Sequence, residues 1–466
     1  MRKKIIKATS VFCILVLLLS MLTGCTNGVQ LHQKYGYNKD FEYNDEMIGH
    51  ALKSSVAQVR TTYSAKVRYS PVTLDEESLI QLFLFALSEY KNQYTPDEIL
   101  ELVIAFITEN ITDFLGFGNP KEVEIAPVYT GSGVVISEDG YIATNSHVTT
   151  LTEDEKTEVY ISALLDGVVE DLEKIVTSLS SYSIEFSDAD LEALYEIIAL
   201  ASVKDMRVIS ENSQVEVCFP TSSGDTSEVA AKHYQASVVA EGTQMGEDRL
   251  TQDTSILKID ADNLVALTLD DSYPALNSKI VSAGFPGVAN EVFKASGSDA
   301  ANLALTTSGG TVSRLTPISG SEYQAIGIDT NISNGSSGGP SVDYCLRVEG
   351  LNTYASTRDM RFANMVPAAY VSFLSDEFTI AQGNVSKNFL MGLQMLQKGY
   401  GTSALECFES VKAANPDTPY IDSLIGQAKS TPEKTDVLHI AMTFVRSVTG
   451  TVQNLTNIVS DLMPSF

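Results

Sequence analysis

Residues 131–148 read GSGVVISEDGYIATNSHV. Val134, Val135 and Ile136 suit a pleated strand, Glu138-Asp139-Gly140 is a tight-turn signal, and Tyr141 to Thr144 resume the strand. This hairpin constrains the fold because helical sequence brackets it. Ahead of it, Thr73-Leu74-Asp75-Glu76 and Thr95-Pro96-Asp97-Glu98 read as capping boxes, the second with proline at the first helical position. Leu79, Leu82, Phe83 and Leu87, then Ile99, Leu102, Val103 and Phe106, follow at helical spacing. Behind the hairpin, Val168, Leu172, Ile175, Val176 and Leu179 fall on one helical face. Ser187-x-x-Asp190 then caps another helix, with Leu191, Leu194, Tyr195 and Ile198 inward. Strand-like sequence also covers Ser54 to Tyr69 and runs from Val215 to about Leu374. The expected architecture of residues 45–375 is a β body with helical insertions at about 73–116 and 151–210.

A chain of 466 residues with 44 % apolar content can hold two or three domains and a sizeable core. Its net charge of −28 argues against a nucleic-acid partner and against electrostatic adhesion to anionic lipid. The first residues do not belong to the body. Arg2, Lys3, Lys4 and Lys7 make a positive head, and Val11 to Met21 is an apolar run too short to span a bilayer. The run ends in Leu22-Thr23-Gly24-Cys25, which resembles the lipobox of bacterial lipoproteins. The resemblance implies a signal peptide over 1–24, cleavage before Cys25 and lipid on its thiol. Residues 25–44, polar and without periodicity, read as a tether. The protein is then expected on the outer face of a bacterial cell membrane. Cys218, Cys345 and Cys407 remain; they are odd in number and lack C-x-x-C spacing, so neither a metal site nor a disulfide framework is indicated, and no cofactor is expected.

The last ninety residues return to helical spacing. Gly392, Ala404, Phe408 and Pro416 fit a tetratricopeptide (TPR) helix pair with Gly399 at its turn, and Gly426 stands 34 positions after Gly392. An ordinary helical hairpin fits the same residues. Phe444, Val448, Val452, Leu455, Val459 and Leu462 form a further apolar stripe. Residues 385–463 are expected to be a small helical domain offering a surface to a protein partner or a second copy.

The stretch NISNGSSGGP, 331–340, suits a flexible linker or a nucleophile loop. A serine hydroxyl needs a base, a group that orients the base, and donors for the oxyanion. Of the histidines, His147 ends the glycine-rich hairpin; Asp253 leads the strand-like TSILKI; and Ser337 precedes Gly338-Gly339-Pro340. GSGVVIS with GYIATNSHV, QDTSILKID, SAGFPG, TTSGGTVSRL and GSSGGP, in that order, resemble the HtrA (Deg) branch of the trypsin-like serine proteases. The resemblance covers about 50–375. It implies a chymotrypsin-like pair of antiparallel β-barrels, His147 as general base, Asp253 as its orienter and Ser337 as nucleophile. Gly335 and Ser337 would then supply the oxyanion N–H groups. Asn364 and Met365, on the strand aligned with the substrate cleft, would line that cleft.

The sequence departs from the family in four ways. Ser336 stands where the family usually has Asn or Asp, the 151–210 block widens the gap between base and orienter, the 73–116 helical hairpin precedes the first active-site motif where the family carries a regulatory loop, and no PDZ domain is evident after the protease motifs. The expected function is endoproteolysis of protein or peptide substrates through an acyl-enzyme. The rival expectation is an inactive protease-fold lipoprotein that serves as a binding scaffold.

Overall fold

The computed structural model describes residues 37–434 apart from 182–187, 228–229, 244–248, 288–302, 356–362, 379 and 381. The signal segment, Cys25 and the Phe444–Leu462 stripe therefore lie outside the described residues. Two compact units divide the chain, one holding residues up to Gln58, Gly131–Asn145 and everything from Val217, the other Val59–Thr130 and Ser146–Glu216.

Helix α1 (Asp45–Ser55) opens the fold. The Asn44 side chain caps it by accepting from the Met47 N–H, and Met47, Ile48, Ala51 and Leu52 are its buried face. Strand β1 (Val56–Tyr69) follows, and β2 (Val72–Leu74) pairs with β3 (Leu115–Phe117) around the first helical insertion. Next come β4 (Lys121–Ile125), β5 (Val128–Val135) and β6 (Tyr141–Thr144). The second insertion precedes β7 (Arg207–Phe219), β8 (Lys232–Glu241) and β9 (Ser255–Ile259). The strand order β1-β5-β6-β9-β8-β7 closes because β7 pairs back onto β1, with β4 flanking β1. Strand β10 (Thr268–Leu269) leads to β11 (Lys279–Gly284), β12 (Thr306–Pro317), β13 (Gln324–Ile328), β14 (Pro340–Val342), β15 (Arg347–Ala355) and β16 (Ala363–Pro367). Here the order β15-β14-β11-β12-β13-β16 closes through β15–β16, and β10 adds in parallel to β15. The fold is thus two closed six-stranded antiparallel barrels with helices, the chymotrypsin-like arrangement. Closure removes the exposed edges that open sheets must protect.

The insertions form the core of the second unit. In the first, α2 (Glu76–Tyr90) is capped by Asp75, whose side chain accepts from the Ser78 N–H, so Thr73 is a strand residue and not the cap that its spacing suggests. Helix α3 (Pro96–Glu109) has the expected Thr95/Glu98 capping box. A short helix α4 (Ser146–Thr149) precedes α5 (Glu153–Ser181) and α6 (Asp188–Lys204), the helices of the second insertion. Ile99 and Val103 share one apolar cluster with Val168, Ile175 and Ile198. A further single turn, α7 (Arg249–Gln252), lies between β8 and β9 in the first unit.

Two expected boundaries do not hold in the packing of the first unit. Tyr43, in the supposed tether, is buried; its N–H donates to the Tyr344 carbonyl at 2.8 Å and its hydroxyl to the Leu390 carbonyl at 3.2 Å. The aromatic residues of 37–44 gain more by burial than a solvated tether offers. At the other end, α8 (Ala368–Ser375) is followed by α9 (Asn384–Lys398), α10 (Gly401–Ala414) and α11 (Ile421–Ser430). Helices α9 and α10 form the hairpin, with Gly399 left-handed at its turn. A Cβ on Gly392 would lie 2.5 Å from the Phe408 ring, so only glycine permits this crossing. Phe389, Leu393, Phe408 and Leu424 belong to one continuous core with Val134, Val281, Leu351 and Val366. The Ala266 N–H donates to Ser386 Oγ at 2.9 Å, and the Ser386 N–H donates to Glu138 at 2.6 Å. These helices are a wall of the unit and not a separate domain. Cys218, Cys345 and Cys407 form no disulfide among the described residues.

Candidate active site

Ser337 lies in the loop between β13 and β14. Gly335 and Gly338 both have positive φ, +94° and +82°, which folds the backbone sharply on each side of the serine. At Gly338 no other residue fits, since a Cβ there would lie 2.2 Å from both the Ser132 carbonyl and Thr144 Oγ1. Ser132 staples the loop: its hydroxyl donates to the Gly335 carbonyl at 2.7 Å and accepts from the Phe285 N–H at 2.9 Å. The Ser132 N–H donates to the Ser337 carbonyl at 2.8 Å. Thr144 Oγ1 in turn donates to the Ser132 carbonyl at 2.7 Å. The glycine-flanked Ser132 of the first motif therefore shapes the turn of the last, a role its position alone does not reveal. Ser336 Oγ accepts from the Ser333 N–H at 3.4 Å, so the residue that departs from the family pattern bonds within its own loop. Among the described residues, neither the Gly335 nor the Ser337 N–H donates a backbone hydrogen bond.

Asp253 is fully buried just before β9. The Asn145 side-chain amide donates to its carbonyl at 2.6 Å, which ties the residue two before His147 to Asp253. Thr353, on β15, connects the aspartate to the serine. Its hydroxyl donates to Asp253 Oδ2 at 2.9 Å, and its carbonyl accepts from the Ser337 hydroxyl at 3.2 Å. No motif in the sequence points to Thr353. Its one local signal is its place on β15, two residues past the buried Leu351. Asn352 locks that strand to the loop: the Gly338 N–H donates to its carbonyl and its own N–H donates to the Gly339 carbonyl, both at 2.8 Å.

His147 stands on α4, half-buried. The Thr61 hydroxyl donates to the carbonyl of the next residue, Val148, at 2.7 Å, which anchors that turn within the second unit. The expected cleft residues fare differently. Asn364 and Met365 are both buried on β16. Met365 is enclosed by the apolar cluster of Ile280, Val312, Ile326 and Ile328, so its side chain fills the barrel and lines no cleft. The alternation of a strand puts Asn364 on the opposite face, where Arg314 approaches its amide oxygen at 3.5 Å. No group of metal-ligating side chains among the described residues includes His147, Asp253 or Ser337.

A profile of the trypsin-like peptidase domain matches residues 131–351. That stretch is a trypsin-like peptidase domain. It contains His147, Asp253 and Ser337, and it ends within β15. Similar solved structures are HtrA-type and related serine proteases. A serine endoprotease from Yersinia pestis is 18 % identical with a TM-score of 0.31, over 53 % of this chain and 57 % of that one. The chain thus matches little more than half the length of that protease. A protease from M. tuberculosis in its active form is 15 % identical, TM-score 0.34, over 73 % and 90 % of the two chains. The HtrA-type protease AlgW with a decapeptide is 14 % identical, TM-score 0.35, over 71 % and 66 %. No curated protein sequence matches the chain.

Proposed function

We propose that the protein is a serine endopeptidase that cleaves protein substrates through an acyl-enzyme. The observation that carries the reading is the single residue Thr353, which touches the Asp253 carboxylate through its hydroxyl and the Ser337 hydroxyl through its carbonyl. Two residues far apart in the chain are thereby joined through one side chain and one backbone group. In this reading His147 removes the Ser337 proton as the oxygen attacks the scissile carbonyl, and returns it to the leaving amine. Asp253 holds the imidazole in the required tautomer and stabilises the imidazolium. The N–H groups of Gly335 and Ser337 receive the oxyanion, for which their lack of backbone acceptors among the described residues leaves them available. The Ser337 hydroxyl must leave the Thr353 carbonyl to meet the base, which costs about 1 kcal/mol, the net worth of such a hydrogen bond.

A fluorophosphonate probe and casein cleavage test this assignment. Wild type should be labelled and active, while Ser337→Ala and His147→Ala should each lose turnover by orders of magnitude, about 10⁶-fold in a comparable triad. An unlabelled, inactive wild type would instead support the scaffold reading. Unchanged turnover in either variant would refute the assignment of that residue. The location follows from Leu22-Thr23-Gly24-Cys25: the chain is held by lipid on Cys25 outside the cytoplasmic membrane. The mass of the N-terminal peptide decides this, since a mature chain that begins elsewhere, or with unmodified Cys25, excludes the anchor.

A further inference from the structure

Among the described residues, one group of three His, Cys, Asp or Glu side chains brings its ligand atoms close enough together to hold a metal ion. Glu216 and Cys218 are alternate residues of β7 and so leave the strand on one face. His233 comes from β8, the neighbouring strand in the barrel. One ligand atom from each of the three lies within 4.8 Å of the others, and Cys218 Sγ is 3.2 Å from His233 Nδ1. Cys218 is fully buried against the core, whereas Glu216 is half-buried and His233 exposed. One side of the cluster is therefore sealed by apolar residues and the other is open to solvent.

We propose that Cys218, His233 and Glu216 form a zinc site, with the fourth coordination position open to water. Thiolate, imidazole and carboxylate are the donor set that Zn²⁺ prefers. Bond lengths of about 2.3 Å to sulfur and about 2.0 Å to nitrogen at a tetrahedral ion place those two atoms about 3.5 Å apart. The observed 3.2 Å therefore needs only a small opening. The charges also close. A thiolate and a carboxylate neutralise a dication, with the imidazole neutral. The adjacent cation, Lys232, is turned to Asp417 at 3.0 Å, so its charge is compensated.

The site is remote from Asp253. Strand β8 pairs with β9 from Ala236↔Ile259 to Glu241↔Ser255, and Asp253 lies just beyond the Ser255 end. His233 lies past the other end, roughly 25 Å along the strand at about 3.3 Å per residue. The metal thus has no water to offer to the peptidase reaction. Its effect is to pin β7 to β8, and so to stiffen the strand that pairs with the one following Asp253. Binding releases the Cys218 thiol proton, because the thiolate is the ligand.

Cobalt titration of the purified metal-free protein tests the site. One equivalent of Co²⁺ should give a thiolate-to-cobalt absorption in the near ultraviolet and visible bands of a tetrahedral ion. Zn²⁺ should abolish both. Cys218→Ser should lose the thiolate band, and His233→Ala should bind at least about tenfold more weakly. Because His233 is exposed, weaker binding by an H233A chain that melts as the metal-free wild type does is a supporting result. No thiolate band in the wild type, an unchanged band in C218S, or equal affinity in H233A each overturns the proposal.

Discussion

Glu349→Gln should stabilise the protein, and do so more as pH rises. Glu349 lies on β15 at only 6 % exposure, and among the described residues its Oε2 has no hydrogen-bond partner. The nearest counter-charge, Arg347, is engaged by Asp343 at 2.7 Å and by Asp270 at 3.5 Å. Burial first, then the Asp270 and Asp343 charges, push the Glu349 carboxyl from 4.5 up to about 8. The native state therefore holds a proton at neutral pH that the unfolded chain releases. The sign follows from that difference: between these two values the folded state binds more protons, so stability is fully present below about 4.5 and drains away as pH rises through about 8. At about 1.4 kcal/mol per unit, the penalty is about 1 kcal/mol at pH 5 and about 4 kcal/mol at pH 8. Glutamine keeps the shape of the neutral acid and has no proton to lose. Thermal unfolding followed by circular dichroism should show the variant melting roughly 5 °C above wild type at pH 8, with a much smaller gap at pH 5. An equal gap at both pH values, or a loss of stability at pH 8, would refute a neutral buried carboxyl.

Thr353→Val should remove the hydroxyl that meets Asp253 while leaving the carbonyl that meets Ser337. A hydrogen bond to a charged group is worth about 1.5–3 kcal/mol, so kcat should fall roughly ten- to a hundredfold with KM little changed; an unaltered kcat would remove Thr353 from the positioning of Asp253. Ending the chain at Gln382 should prevent folding of the first unit instead of merely trimming a recognition domain, because Phe389, Leu393, Phe408 and Leu424 belong to its core. Each such side chain contributes about 1.5–3 kcal/mol, and a truncated protein with a cooperative melt near the full-length temperature would show that the helices are dispensable.

Much of the β framework is legible in the sequence, because alternation and turn residues are local properties. The Glu138-Asp139-Gly140 turn separates β5 from β6 as its spacing predicts, and Thr95, Pro96 and Glu98 start α3 where they stand. The nucleophile loop is legible for the same reason, since Gly335 and Gly338 are demanded by backbone angles that few other residues adopt. Periodicity, however, reports only that a face is apolar and not what covers it. It therefore does not reveal that the hairpin of α9 and α10 closes the same core as Leu351 and Val366, or that Tyr43 is buried beside it. The place of Met365 on its strand suggests a cleft residue, and barrel closure puts its side chain in the interior. Asp253, Ser337 and Thr353 become neighbours, and Glu216 and Cys218 meet His233, only because antiparallel strands distant in sequence are held side by side. Local preferences select the strands and turns; the burial of apolar surface by barrel closure selects which side chains those strands bring into reach of one another.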